Sequence, residues 1–248
     1  MKLMESQERT DTKPTVEAPF DYQSIRALFV DIDDTIIRHE GAPTNSLLNV
    51  LESAAVTLGG MSPEEAQRRI QKINTEVAWW HFSDFIVELN LNPKEFWNYA
   101  FQYEQPYLKP TGFDLKTSLE RIRNAGIGLY VTSNNPSSGI LHKLSLAGLG
   151  TIQGAPLFRQ LLGATELHAM KWDPLYWKKT LAHTGLDASE VAILGDNPRD
   201  DLEVPQSIGI AHTFLIGQHA ERRREDSLRV THVRSFSEVA DLLCVDHD

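Results

Sequence analysis

The chain has 248 residues, of which 41% are hydrophobic, and its formal net charge is −10. This length suits one large domain or a core with a smaller companion, and the composition allows a substantial hydrophobic core. The acidic charge argues against nucleic acid as a general partner. Cys244 is the only cysteine, which excludes an intrachain disulfide and a thiolate metal cluster and suits a reducing compartment such as the cytoplasm.

Residues 1–20 are mostly polar or charged, and we expect this tail to be disordered. The tail lacks the apolar core of a signal peptide. No apolar run of the chain approaches the ~20 residues that a membrane-spanning helix needs. We therefore expect a cytoplasmic protein that has no membrane partner.

Three apolar runs followed by small polar residues, and a fourth that ends at Gly217, indicate buried strands. Helical patterns separate these runs, for example the helix face that Leu115, Leu119 and Ile122 share. Strands that alternate with helices predict an α/β fold with a Rossmann-like core and a doubly wound parallel sheet. The ligand site of such a sheet lies beyond the carboxyl ends of its strands. The runs lie at 27–30, 127–131, 191–194 and 208–216.

The segment from about residue 36 to residue 110 breaks this alternation and indicates several helices without a strand. Ser62 and Asn92 are each followed by a proline and a nearby glutamate, which is the pattern of a capped helix start. We therefore divide the chain into a core of residues 21–36 and 111–248 and an inserted α-helical cap of residues 37–110. Because the cap follows the first strand, it would lie over the carboxyl edge of the sheet as a lid.

The predicted cap is rich in aromatic residues, among them Trp79, Trp80 and Phe82. We expect most of these side chains to hold the cap helices together and His81 to lie at a helix surface. The alternative is that this run projects toward a bound substrate. A lid of this kind closes over a small molecule and excludes water, but it cannot cover a protein or a polynucleotide.

Asp31 and Asp33 follow the first strand, and alternation in an extended chain places their side chains on the same side. Two carboxylates ~4 Å apart repel by about 4 kcal/mol at an effective dielectric constant of 20. A fold tolerates such a pair when a cation, a shared proton or a reaction uses it. The pair is therefore the first candidate for an active site.

The residues after the predicted strands form an ordered set of motifs. The run Asp31-Ile32-Asp33-Asp34-Thr35 resembles the first motif of the haloacid dehalogenase superfamily, Asp-x-Asp-x-Thr after an apolar strand. Thr132 resembles the hydroxyl residue of the second motif, and Lys171 resembles the basic residue of the third. The run from Gly195 to Asp201 resembles the acidic fourth motif. The helical insertion between the first two motifs also resembles the cap of the phosphoglycolate phosphatase-like branch, which lies in the same place.

The resemblance implies a chemical role for the two aspartates of the first motif. Asp31 is the predicted nucleophile, because a carboxylate can attack phosphorus and form an acyl phosphate. Asp33 is the predicted general acid and base. The resemblance implies that true dehalogenases lack an aspartate at this second position. Asp33 therefore favours phosphoryl transfer over cleavage of a carbon–halogen bond.

Four residues are predicted to bind the phosphoryl group. The hydroxyl of Thr132 would donate to a phosphoryl oxygen, and Ser133 and Asn134 would offer backbone N–H groups at the start of a helix. Lys171 would neutralise phosphoryl charge and hold the nucleophile ionised. Trp172 stands where the superfamily usually has proline, a departure that bears on the shape of this loop.

The resemblance also implies a site for Mg2+, which prefers oxygen ligands. The predicted ligands are the carboxylates of Asp31 and Asp196, the backbone carbonyl of Asp33, and a second acid of the fourth motif. That acid is Asp200 or Asp201, and we favour Asp201 because the following residues then match the usual run.

Together these features predict a Mg2+-dependent phosphatase that hydrolyses a small phosphorylated metabolite through an aspartyl-phosphate on Asp31. The alternatives are a phosphotransferase of the sugar phosphomutase kind, a 2-haloacid dehalogenase, and a binding protein without turnover. We expect neither nucleic acid nor a membrane as a partner, and we expect a monomer or a homodimer.

Overall fold

The computed structural model describes residues 20–43, 46–76, 82–217 and 229–244. Residues 1–19 of the predicted tail lie outside this part. The strands are β1 (Ala27–Val30), β2 (Ile37–His39), β3 (Leu108–Pro110), β4 (Gly128–Ser133), β5 (Gln160–Gly163), β6 (Val191–Gly195), β7 (His212–Ile216) and β8 (Val230–Val233). Six of them form a parallel sheet in the order β5–β4–β1–β6–β7–β8.

Helices cover both faces of this sheet, which confirms the predicted Rossmann-like α/β fold. Leu28 and Val30 of β1 face a hydrophobic cluster built with the helices at 115–124, 137–146 and 236–243, whereas Phe29 faces a cluster built with the helix at 174–184. No described helix is long and apolar enough to cross a membrane. The helices are α1 (Ser46–Thr57), α2 (Pro63–Glu76), α3 (Phe82–Glu88), α4 (Pro93–Glu104), α5 (Leu115–Asn124), α6 (Ser137–Leu146), α7 (Ala164–Leu167), α8 (Pro174–Thr184), α9 (Val204–Ser207) and α10 (Phe236–Leu243).

Three of the four predicted strands correspond to β1, β4 and β6, and the fourth is shorter than predicted. The apolar run 208–216 starts with residues that connect α9 to the sheet, so β7 begins only at His212. Strands β5 and β8 were not predicted from the sequence. Both are four-residue strands at the sheet edges and are only partly buried, so their sequences lack the continuous apolar run of a central strand.

Helices α1 to α4 share a hydrophobic cluster of their own, which includes Phe85, Phe96 and Trp97. Most aromatic side chains described in this segment therefore hold the helices together. Trp79, Trp80 and His81 lie outside the described residues. The prediction that this segment contains no strand is wrong, because β2 and β3 pair antiparallel at its two ends. Three-residue strands are too short to show alternation, and these two are far apart in sequence.

Helix α4 packs on α6, close to the carboxyl end of β4. The ring of Phe101 stacks on His142 with centroids 5.2 Å apart and an interplanar angle of 16°. A Cβ atom on Gly139 would lie 2.6 Å from Cζ of Phe101, so glycine permits this close approach. The helical segment is thus in direct contact with the core beside the strand that carries Thr132.

Candidate active site

The principal motif residues meet at the carboxyl edge of the sheet. Asp31 directly follows β1, and Asp196 directly follows β6. Thr132 is the next-to-last residue of β4, and Lys171 lies in the loop between α7 and α8. All four are at least nine-tenths buried. Because burial removes these groups from water, their charges require compensation by one another or by a ligand.

The ammonium of Lys171 lies between two carboxylates. Its Nζ atom is 2.6 Å from Oδ1 of Asp31 and 2.6 Å from Oδ1 of Asp201. Burial disfavours the charged form of Lys171, but the two carboxylates outweigh this effect and raise its pKa above the ordinary value. Lys171 is therefore positively charged at neutral pH.

The backbone of Lys171 is held from both sides. Its N–H donates to Oδ1 of Asn134 at 2.8 Å, and its carbonyl accepts from Nε1 of Trp177 at 2.8 Å. Trp177 is fully buried on α8, a helix that begins after the N-cap Asp173. The loop after β4 and helix α8 therefore aim the lysine at the first-motif carboxylate together.

Asp31, Asp196 and Asp201 form a cluster that can hold a metal ion, with one carboxylate oxygen of each lying within 4.8 Å of the others. Burial and neighbouring carboxylates raise the pKa of Asp196 to about 7 and the pKa of Asp31 well above its ordinary value, against the opposing charge of Lys171. Three carboxylates thus face one ammonium. This oxygen-rich, negatively charged donor set fits Mg2+. The backbone carbonyl of Asp33 as a further ligand stays a prediction.

The structure places the two candidate acids of the fourth motif differently. Asp201 enters the carboxylate cluster, whereas Asp200 accepts a hydrogen bond from Nδ2 of Asn134 at 3.1 Å. A Cβ atom on Gly195 would overlap the carboxyl group of Asp201, so the end of β6 requires glycine. The N–H of Asn197 donates to Oδ2 of Asp201 at 3.1 Å. These contacts direct Asp201, not its neighbour, toward the cluster.

Thr132 carries a buried hydroxyl for which the described residues provide no hydrogen-bond partner. Because Val30 pairs with Val131, Thr132 lies beside Asp31 at the edge of the sheet. An unpaired buried hydroxyl costs about 1–3 kcal/mol. A ligand oxygen bound at this edge would remove that cost.

Ser133 and Asn134 form hydrogen bonds within the protein. The N–H of Ser133, predicted to bind an anion, donates instead to the hydroxyl of Tyr176 at 2.9 Å. The side chain of Asn134 links the N–H of Lys171 to the carboxylate of Asp200. These contacts fix the loop, and anion binding by the backbone N–H of Asn134 stays a prediction. The prediction for Ser133 did not foresee this because the tyrosine lies on a helix distant in sequence.

Asp33 lies at the rim of the site, with its side chain 36% exposed. Nζ of Lys143 is 2.6 Å from its Oδ1, and Nδ2 of Asn135 donates to its Oδ2 at 2.5 Å. Burial raises the pKa of Asp33, but Lys143 and these hydrogen bonds outweigh burial and lower it. Neither partner was predicted from the sequence. One available indication was that Lys143 falls on the helix face of the apolar Ile140 and Leu144.

Comparison with known proteins places this arrangement in a family. The model of the haloacid dehalogenase-like hydrolases matches residues 28–214. The chain belongs to this family. The matched region includes all four motifs, from Asp31 to Asp201, so the chain is a hydrolase of this superfamily. A search of curated proteins finds no match to this chain.

Solved structures of this superfamily share the fold. A HAD phosphatase from Thermococcus onnurineus has a TM-score of 0.63 and 22% identity, and the alignment covers 88% of this chain and 98% of that protein. A 2-haloacid dehalogenase from Pseudomonas syringae has a TM-score of 0.57 and 19% identity, with coverages of 89% and 98%. A Thermotoga maritima protein provisionally named beta-phosphoglucomutase has a TM-score of 0.53 and 15% identity, with coverages of 89% and 99%. At these identities the likeness concerns the fold alone.

Proposed function

We propose that this hydrolase is a Mg2+-dependent phosphatase that acts on a small phosphorylated metabolite through an aspartyl-phosphate on Asp31. One observation carries the proposal: a second carboxylate, Asp33, lies at the rim of the site with its side chain 36% exposed. From there it can exchange a proton with a leaving group and with water. The resemblance implies that dehalogenases lack this aspartate, which favours phosphorus as the centre attacked.

In the first proposed step, a carboxylate oxygen of Asp31 forms a bond to phosphorus while the bond from phosphorus to the leaving oxygen breaks. Lys143 lowers the pKa of Asp33 in the free site, but the negative charge of a bound phosphoryl group opposes that effect, and Asp33 in its protonated form donates a proton to that leaving oxygen. Lys171, 2.6 Å from Asp31, offsets negative charge around the reacting group. Thr132, whose hydroxyl has no partner in the described residues, donates to a phosphoryl oxygen.

In the second proposed step, Asp33 accepts a proton from water, and the water oxygen attacks phosphorus. The bond from phosphorus to Asp31 breaks, which frees inorganic phosphate and regenerates the carboxylate. Asp31, Asp196 and Asp201 would hold Mg2+, together with the backbone carbonyl of Asp33. The bound ion supplies positive charge that reduces the repulsion between the nucleophile and the phosphoryl oxygens.

We further propose that residues 37–110 act as a cap domain over a core of residues 21–36 and 111–248. The contact of α4 with α6 supports this assignment, because it seats the helices beside the active edge of the sheet. A cap in this place favours a small metabolite over nucleic acid or a membrane surface. A cytoplasmic location and a monomeric or homodimeric state complete the proposal.

The test is a screen of phosphorylated metabolites for phosphate release with Mg2+ and with a chelator. We expect Mg2+-dependent release that Asp31→Asn abolishes while the variant keeps its folded circular dichroism spectrum. The matched control is Asp173→Asn, at an exposed helix cap where asparagine caps equally well, and it should keep full turnover. Full turnover by Asp31→Asn would contradict the mechanism.

The same preparations separate the alternatives. A requirement for a bisphosphate activator would indicate a phosphotransferase, and halide release from a 2-haloacid would indicate a dehalogenase. Failure to hydrolyse any phosphate ester, including generic aryl phosphates with Mg2+, would support a binding protein without turnover.

A further inference from the structure

A lysine is buried on helix α6, outside the four motifs. The side chain of Lys143 is only 3% exposed, and it lies on the helix face that also buries Gly139, Ile140 and Leu144. Placing an ammonium in such a position costs several kcal/mol of desolvation unless partners compensate. An apolar residue would serve packing at this position equally well, so packing alone does not account for the lysine.

The partners of Lys143 explain its position. Nζ is 2.6 Å from Oδ1 of Asp33 and 3.2 Å from Oδ1 of Asn135. Nδ2 of the same Asn135 donates to the other oxygen, Oδ2, of Asp33 at 2.5 Å. Asn135 is itself oriented, because its Nδ2 also donates to Oγ of Ser133 at 2.9 Å. Each carboxylate oxygen of Asp33 thus has one donor, and the two donors contact each other.

This arrangement restricts the rotation of a carboxylate that otherwise lies at an exposed rim. The buried lysine and the asparagine approach Asp33 from the protein side, whereas 36% of the Asp33 side chain is exposed. General acid–base catalysis requires the acid within hydrogen-bond reach of the leaving oxygen, and small displacements of catalytic groups reduce rates steeply. A carboxylate held at both oxygens loses less conformational freedom when the substrate binds.

Lys143 also approaches the helical segment. Its Nζ lies 3.9 Å from Oε2 of Glu104 on α4, and Nε2 of His39 lies 4.0 Å from the same oxygen. These separations are longer than the contact with Asp33. A purely structural role would make the link to Glu104 the important one, so the two roles of Lys143 make different predictions.

We propose that Lys143, with Asn135, is a positioning residue that orients Asp33 for proton transfer to the leaving group. The inference rests on the proposed phosphatase function. Lys143 and Asn135 lie outside the four motifs, and the inference assigns them a role in protonating the leaving group. Lys171, by contrast, acts on the nucleophile.

The test compares two substrates that differ in their need for protonation. The leaving group of 2,4-dinitrophenyl phosphate departs as a stable anion, whereas that of phenyl phosphate benefits from a proton. We measure kcat/KM, which reports the steps up to the first P–O cleavage, over a full pH profile for both substrates. A shift of the profile reports the effect of the lost ammonium on the protonation of Asp33, whereas a lower maximum with an unshifted profile reports lost positioning. Lys143→Met should lower kcat/KM for phenyl phosphate by about 10- to 100-fold, because a misplaced Asp33 loses part of the roughly 100- to 10,000-fold that general acid catalysis contributes. The loss for 2,4-dinitrophenyl phosphate should stay below about threefold.

Two further variants keep the test decisive if Lys143→Met fails to fold. Asn135→Ala removes the other donor to Asp33 and should shift the ratio of kcat/KM for the two substrates in the same direction. Lys143→Arg retains a donor and should recover most of the ratio. In an Asp33→Asn background, Lys143→Met should have no further effect on the ratio, because residues that act through one group are not additive.

Matched controls separate positioning from folding. Lys179→Met removes another partly buried lysine, whose Nζ donates to the carbonyl of Leu167, and it should leave the substrate ratio unchanged. Glu104→Gln weakens the contacts of Glu104 with Lys143 and His39 but leaves both donors to Asp33 in place, so it should also leave the ratio unchanged.

Equal losses on both substrates after Lys143→Met, or a gain on phenyl phosphate, would overturn the inference. A ratio of kcat/KM values that changes in Glu104→Gln but not in Asn135→Ala would also overturn it. These failures differ from failure of the proposed function. If the function is wrong, the unaltered protein hydrolyses neither ester; if only the inference is wrong, the unaltered protein hydrolyses both and Asp31→Asn hydrolyses neither.

Discussion

Replacing Lys171 with methionine tests the electrostatic account of the site. The change keeps a long unbranched side chain but removes an ammonium that lies 2.6 Å from carboxylates of both Asp31 and Asp201. Removing one partner of a buried ion pair costs about 3–5 kcal/mol, because the remaining charge stays buried. Here two carboxylates lose their partner, so we expect Lys171→Met to destabilise the fold by about 3–5 kcal/mol.

The assay is urea unfolding at pH 8 in the presence of a chelator. The loss should shrink toward pH 5, because the carboxyl of Asp31, whose pKa burial already raises, takes up a proton more readily without the ammonium. Adding Asp201→Asn to Lys171→Met should recover part of the stability but none of the turnover. Saturating Mg2+ should also recover part of the stability.

The matched control is Lys179→Met, which removes a partly buried lysine bonded to a neutral carbonyl and should cost only about 1 kcal/mol. If the free energy of unfolding of Lys171→Met at pH 8 lies within about 1 kcal/mol of that of the unaltered protein, the desolvated charge cluster inferred from the structure does not exist in solution.

Three further predictions follow from other groups. Thr132→Val should lower kcat/KM by about 10- to 100-fold without lowering the free energy of unfolding, since the hydroxyl has no described partner; full activity would contradict its role. Because the pKa of Asp196 is raised to about 7, protons compete with Mg2+, and calorimetry should give weaker Mg2+ binding at pH 6 than at pH 8; pH-independent binding would contradict this. Burial under Phe20 lowers the pKa of His212 to about 4, so the unfolded state takes up the proton first as the pH falls. Unfolding free energy should drop by roughly 2 kcal/mol more between pH 7 and pH 5 than in His212→Gln, and equal drops would refute the assignment.

The sequence was sufficient to bring Asp31, Thr132 and Asp196 together, for a physical reason. Each follows or ends a continuous apolar run, and parallel strands deliver their carboxyl ends to one edge. The edge strands β5 and β8 were not predicted because partial exposure dilutes the same pattern. The strength of the pattern therefore follows the burial of the strand.

The choice between Asp200 and Asp201 shows a limit of motif spacing. The spacing allowed either acid, and local packing separates them: Gly195 leaves space for one carboxyl, and Asn134 bonds the other. Lys143 lay beyond the prediction for a related reason. Its contact with Asp33 joins residues far apart in the chain, and only the packing of α6 against the sheet edge brings them together.

The most direct test of the proposed mechanism is chemical trapping of the covalent intermediate. Turnover of a phosphate ester identified in the screen is stopped with acid, the protein is reduced with borohydride, and its peptides are analysed by mass spectrometry. Reduction of an aspartyl-phosphate leaves homoserine, and we expect this product at Asp31 and not at Asp33, Asp196 or Asp201. Unmodified Asp31 in a sample stopped during rapid turnover, or homoserine at another of these positions, would contradict the account.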